Sequence, residues 1–213
     1  VRYSAAVAVE TNGPGGMVIA SLSRVAAIPG SSGIRGIIRS IVMSSQNAGA
    51  DTLTCLAGGT VYTFDGESRV IEGGEVWMSG ARIVAVGAAG SFPAPHDRVE
   101  RIDVSGRMVI PGLINAHTHS YSALLKGSVE SEPLDIYMLS VIASGAAMTP
   151  REIYVSAQLD ALAMMHTGVT AAIDHYSERP ALSADGLGAV CAAFEDIGMR
   201  ATVATMFADR PYI

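Results

Sequence analysis

Cysteine is scarce in this 213-residue chain: Cys55 and Cys191 stand far apart, and neither belongs to a metal or redox motif. A disulfide framework is therefore excluded, and reduced thiols are expected. Charged residues are also few, at 16%, and the balance is acidic, with a net charge of −6 and an isoelectric point near 5.3. That balance argues against nucleic acid as a partner. No run of 18 apolar residues occurs, so no membrane-spanning helix is expected. Between Thr11 and Ala50 there is no Asp, Glu or Lys at all. Such a Ser-rich, acid-poor stretch has the composition of a transit peptide, but Gly and Pro interrupt every amphipathic helix it could form. Residues 1–50 are expected to be poorly ordered, or to be upstream sequence with the natural start near Met43.

What is present is a well-buried globular composition, 49% hydrophobic. Residues 51–110 read as a small β-sandwich domain. Thr60 to Phe64 alternates before the Asp65-Gly66 turn. Glu75–Met78 and Ala81–Val86 flank Ser79-Gly80 as a hairpin would, and Arg101–Val104 and Arg107–Ile110 flank Ser105-Gly106 in the same way.

Past residue 110 the pattern becomes βα. Thr149-Pro-Arg-Glu152 is a capping box with proline at the first helical position. It predicts a helix to about His166, with Ile153, Ala157, Ala161, Met164 and Met165 inward. Val169–Asp174 reads as a strand. Ser183 caps a second helix to Ile197, whose stripe is Leu187, Val190, Cys191, Phe194 and Ile197. Gly198 stops it, and Met199–Phe207 reads as the next strand. Alternating strands and helices make the class α/β.

The stretch richest in chemistry is Val109-Ile-Pro-Gly-Leu-Ile-Asn-Ala-His-Thr-His-Ser120. Side chains alternate along a strand, so His117 and His119 share a face with Leu113 and Asn115. Two imidazoles a few ångström apart can grip one transition-metal ion. This string, with Tyr-Ser-Ala-Leu-Leu-Lys-Gly at 121–127, resembles the amidohydrolase superfamily, in the branch of guanine deaminase, adenosylhomocysteine deaminase and the triazine hydrolases. The resemblance covers about Asp51 to Ile213. It implies that His117 and His119 are metal ligands on the first strand of a distorted (β/α)8 barrel. It further implies two histidines, an aspartate and a proton-shuttling glutamate on later strands. Those catalytic residues are expected beyond Ile213, because a barrel needs about 250 residues and residues 111–213 hold three βα units. The chain reads as the N-terminal part of a larger enzyme.

In such barrels the site lies at the C-terminal strand ends. That rule selects Asp174 and His175 after the second strand, and Asp209 and Arg210 after the third. His175 has two readings that remain open: a polar cap on a buried strand end, or a substrate contact near the metal. Asp174 is expected to hydrogen-bond neighbouring backbone. Tyr121 and Arg210 are further substrate-pocket candidates. His166 precedes its strand and suits a helix C-terminus, and His96 suits a surface loop.

The expected cofactor is one divalent metal, zinc or iron. The resemblance implies hydrolytic deamination of an aminated nitrogen heterocycle by metal-activated water, with a small-molecule substrate, a homo-oligomeric full-length enzyme and a cytoplasmic location. The alternatives are a cyclic amide or imide hydrolase of the same superfamily, and a non-catalytic fragment.

Overall fold

The computed structural model describes residues 5–9, 17–22, 53–80, 82–93, 99–128 and 131–206. His96, Asp209 and Arg210 lie outside them. The chain divides into two compact units, at Leu113/Ile114.

The first unit is a seven-stranded sheet. Its strands are β1 (Ala5–Val9), β2 (Met17–Leu22), β3 (Leu53–Tyr62), β4 (Val70–Ser79), β5 (Arg82–Ala88), β6 (Val99–Asp103) and β7 (Met108–Pro111). The order is β1-β2-β7-β3-β4-β5, with β6 also on β3. Strands β1 and β2 fall in the segment expected to lack order. Their runs, AAVAV and MVIASL, are apolar and partly β-branched. They read as strands even though no helix fits there.

Strands β4 and β5 form the expected hairpin, with Ser79 opposite Arg82. The second expected hairpin is absent. Strands β6 and β7 both run parallel to β3, pairing with Leu53–Ala57 and with Thr60–Val61. The cause is the turn type. The Arg107 N–H donates to the Val104 carbonyl, and Gly106 alone has positive φ, at 71°. That is a type II pattern, whereas hairpins need a type I′ or II′ turn to match strand twist. The turn merely bulges out, and the chain rejoins the same edge.

The core of this unit is Leu56, Val61, Val76, Met78, Val104 and Val109. Beside it the buried Glu75 carboxylate accepts from Trp77 Nε1 at 3.0 Å, from the Gly90 N–H at 3.2 Å and from Arg101. Cys55 is fully buried there. Burial pushes its thiol up to about 11, against the opposing pull of Arg101. At that value the thiol carries about 100-fold less thiolate than an ordinary cysteine. A thiol reagent at pH 8 should therefore label exposed Cys191 and spare Cys55 until the sheet is unfolded. Equal labelling rates for both cysteines in the native chain would contradict this burial.

The second unit holds β8 (Leu113–Thr118), a 3-10 helix (Ser120–Leu125), α1 (Leu134–Gly145), α2 (Pro150–His166), β9 (Val169–Tyr176), α3 (Ala184–Ile197) and β10 (Arg200–Thr205). Its sheet order is β10-β9-β8, with β10 parallel to β9. The capping box on α2 is formed in full. Ser183 caps α3, and Gly198 closes it at φ 74°. There the Met199 N–H reaches back to the Phe194 carbonyl, the Schellman arrangement that glycine permits.

One face of β9 packs Ala172 and Tyr176 against Ile153, Ala157 and Ala161 of α2 and Val190, Ala193 and Phe194 of α3. The stripe expected on α3 is shifted: Ala193 is buried and Cys191 is exposed, at the stripe's edge. Among the described residues no helix is long and apolar enough to cross a membrane.

Candidate metal centre

Strand β8 ends at Thr118, so His117 is its penultimate residue and His119 follows it. The Nε2 atoms of the two rings lie 3.2 Å apart, with the rings edge to face. A tetrahedral zinc with bonds of 2.0–2.1 Å separates two ligand nitrogens by about 3.3–3.4 Å. The spacing therefore fits two corners of one coordination sphere. The tautomer of His119 fits as well. Its Nδ1 lies 2.8 Å from the His175 carbonyl oxygen. A carbonyl only accepts, so Nδ1 carries the proton and Nε2 presents its lone pair. The Asn115 side-chain oxygen accepts the His117 N–H at 3.1 Å, steadying the strand just before the pair.

Helix α2 and strand β9 secure the residues around the pair. Thr118, between the histidines, donates to Asp160 Oδ2 at 2.7 Å, and Lys126 Nζ lies 3.0 Å from Asp160 Oδ1. Ser156 donates to the Ser120 and Tyr121 carbonyls and accepts the Leu124 N–H, pinning the 3-10 helix. Asp174 is fully buried and accepts both the N–H and the O–H of Ser120. Burial raises its pKa, although both Ser120 bonds and the nearby His119 act the other way. As expected from the sequence, Asp174 holds backbone and lies outside the imidazole pair.

Strand β9 runs two residues past Asp174, so His175 lies within the strand instead of capping it. Its ring stacks on His117 with centroids 4.5 Å apart and planes 27° apart. Its Nε2 donates to the Ala116 carbonyl at 3.3 Å. Tyr121 stands edge-on to His119, at 6.5 Å, and packs against the core of this unit. His166 is exposed in the last turn of α2, as a helix-end histidine should be. Among the described residues no three His, Cys, Asp or Glu side chains form a metal-holding group.

Sequence reasoning missed Ser156 and Asp160. Their signal was present: two polar residues spaced i, i+4 within the inward stripe of α2, where polar atoms must find partners.

A βα-rich unit with paired imidazoles at the end of its first strand has the geometry to hold a metal ion. Residues 108–211 match the amidohydrolase family. The 5-methylthioadenosine/S-adenosylhomocysteine deaminase of Symbiobacterium thermophilum is 36% identical over 151 residues, covering 70% of this chain and 32% of that protein. The corresponding enzyme of Desulforamulus reducens is 33% identical over 147 residues, covering 68% and 32%. Among solved structures, the atrazine chlorohydrolase of Arthrobacter aurescens in complex with zinc matches with a TM-score of 0.61 and 27% identity, covering 71% of this chain and 35% of that one. The chain thus spans about a third of the length of the relatives it matches.

Proposed function

We propose that this chain supplies the first metal-binding strand of a hydrolase that deaminates an aminated nitrogen heterocycle. The observation that carries the reading is the 3.2 Å approach of the His117 and His119 Nε2 atoms. Support comes from the family match and from relatives that are named as deaminases and a triazine-ring chlorohydrolase. When bound, a divalent ion supplies Lewis-acid chemistry that makes water a nucleophile near neutral pH. Imidazole donors suit zinc, with iron as the second choice.

The chain's own residues hold and orient. His119 keeps its Nε2 lone pair forward because the His175 carbonyl accepts a hydrogen bond from its Nδ1–H. Asp160 and Asp174 fix the backbone on either side of it through Thr118 and Ser120. Tyr121 and Arg210 border the substrate, which is a small molecule. Residues 51–110, with strands from elsewhere, make the β-sandwich, and residues 111–213 open the barrel. The enzyme works as a homo-oligomer in the cytoplasm.

The test is metal analysis of the purified enzyme, carrying this chain at the full length of its relatives, together with ammonia release from a panel of aminated purines, pterins and triazines. Close to one zinc or iron per chain, with turnover on at least one substrate that stops on chelation, is the expected result. Protein that binds neither metal in excess, or that releases ammonia equally well after chelation, refutes the proposal. Turnover of cyclic amides or imides alone replaces the substrate class and keeps the metal reading.

A further inference from the structure

We propose that His175 is a positioning residue that holds both imidazoles of the pair, His117 through its ring and His119 through its backbone carbonyl. This rests on the metal-binding reading above. The His175 ring lies 4.5 Å from that of His117, centroid to centroid, and its plane is tilted by only 27°. Its Nε2–H bond to the Ala116 carbonyl, at 3.3 Å, stops it from turning. Its own carbonyl takes the Nδ1–H of His119 at 2.8 Å. Strand β9 thereby sets the orientation of two side chains at the end of the neighbouring strand with one residue.

The geometry distinguishes this role from that of a third ligand. An imidazole donates its lone pair in the plane of its ring. Two rings stacked nearly parallel direct their lone pairs side by side, whereas ligands of one ion need planes that meet at the ion. The Nε2 of His175 is also committed to a carbonyl. Stacking fits the positioning role chemically as well. When an imidazole coordinates a cation it loses electron density, and the face of a neutral aromatic ring attracts such an electron-poor ring. The contact therefore strengthens as the pair is loaded.

The experiment is a titration of the metal-free full chain with Co²⁺, followed by the visible absorption bands whose position and intensity report coordination geometry. His175→Ala leaves the carbonyl and deletes the ring. It should weaken cobalt binding by about tenfold, at the lower end of what lost outer-sphere partners cost, and change the absorption bands. His175→Phe keeps a stacking ring without the imidazole nitrogens. It should return affinity to within about threefold of wild type and restore the wild-type bands.

Wild-type affinity and bands in His175→Ala overturn the proposal, whatever happens to melting temperature or KM, since those changes alone would mean a packing role or a substrate contact. Loss of cobalt as complete as in His119→Ala overturns it too and makes His175 a ligand. His175→Phe binding as weakly as His175→Ala removes the stacking argument. A wild-type chain that binds no cobalt fails earlier, at the metal reading itself.

Discussion

His119→Ala should lose bound metal almost entirely, and any metal-dependent turnover with it. Removing outer-sphere partners of a metal site costs about 10–100-fold in affinity, so deleting a ligand outright should exceed about 100-fold. The fold should tolerate the change. His119 sits half-buried just past the end of β8, so truncation opens no core cavity. The cost to the metal-free protein is one hydrogen bond, that from Nδ1 to the His175 carbonyl, or about 1 kcal/mol. Metal content after dialysis and denaturant unfolding of the metal-free form separate the two effects. Stoichiometric zinc in the purified variant would refute the ligand assignment. So would a stability loss of several kcal/mol with metal affinity intact.

Asp174→Ala should act the other way, on stability first. Its carboxylate is fully buried and accepts both polar hydrogens of Ser120. Truncation strands a buried N–H and a buried O–H and leaves a void. Unsatisfied buried groups cost about 1–3 kcal/mol each, so a loss of about 3 kcal/mol is expected. Asp174→Asn keeps the shape and one acceptor oxygen, and should lose about 1–2 kcal/mol less. Because Ser120 adjoins His119, metal affinity should fall in both variants, following the order of their stability losses. Unfolding midpoints within about 0.5 kcal/mol of wild type for Asp174→Ala would mean that the carboxylate does not hold Ser120 in solution.

How legible the site was depended on how local its geometry is. The spacing of His117 and His119 is a property of one strand, and it survives into the structure unchanged. The caps of α2 and α3 are local too, and Thr149, Glu152, Ser183 and Gly198 take the roles their residue types predict. The partners of the pair were not legible. Ser120 meets Asp174 across 54 residues and Thr118 meets Asp160 across 42, and no single-sequence pattern pairs them. Helix α1 carried no start signal, because Pro133 offers no capping side chain and apolar residues lie on every side of Leu134–Gly145. At Ser105-Gly106 the residue types were right for a turn but could not distinguish the type that reverses a chain from the type that only offsets it. For the family the motif was enough. No motif in the chain reads out the substrate.

The long sequence separations around His119 have a kinetic consequence. Its ring is oriented by a carbonyl 56 positions further along the chain, and the intervening loop must close before that bond can form. Contacts of such span form slowly compared with the helices between them. A freshly made chain would therefore carry helical α2, and both histidines, some time before it could bind an ion tightly. Acquisition of tight cobalt binding, timed against the far-ultraviolet signal of helix formation, would serve as a clock for the docking of β9 beside β8.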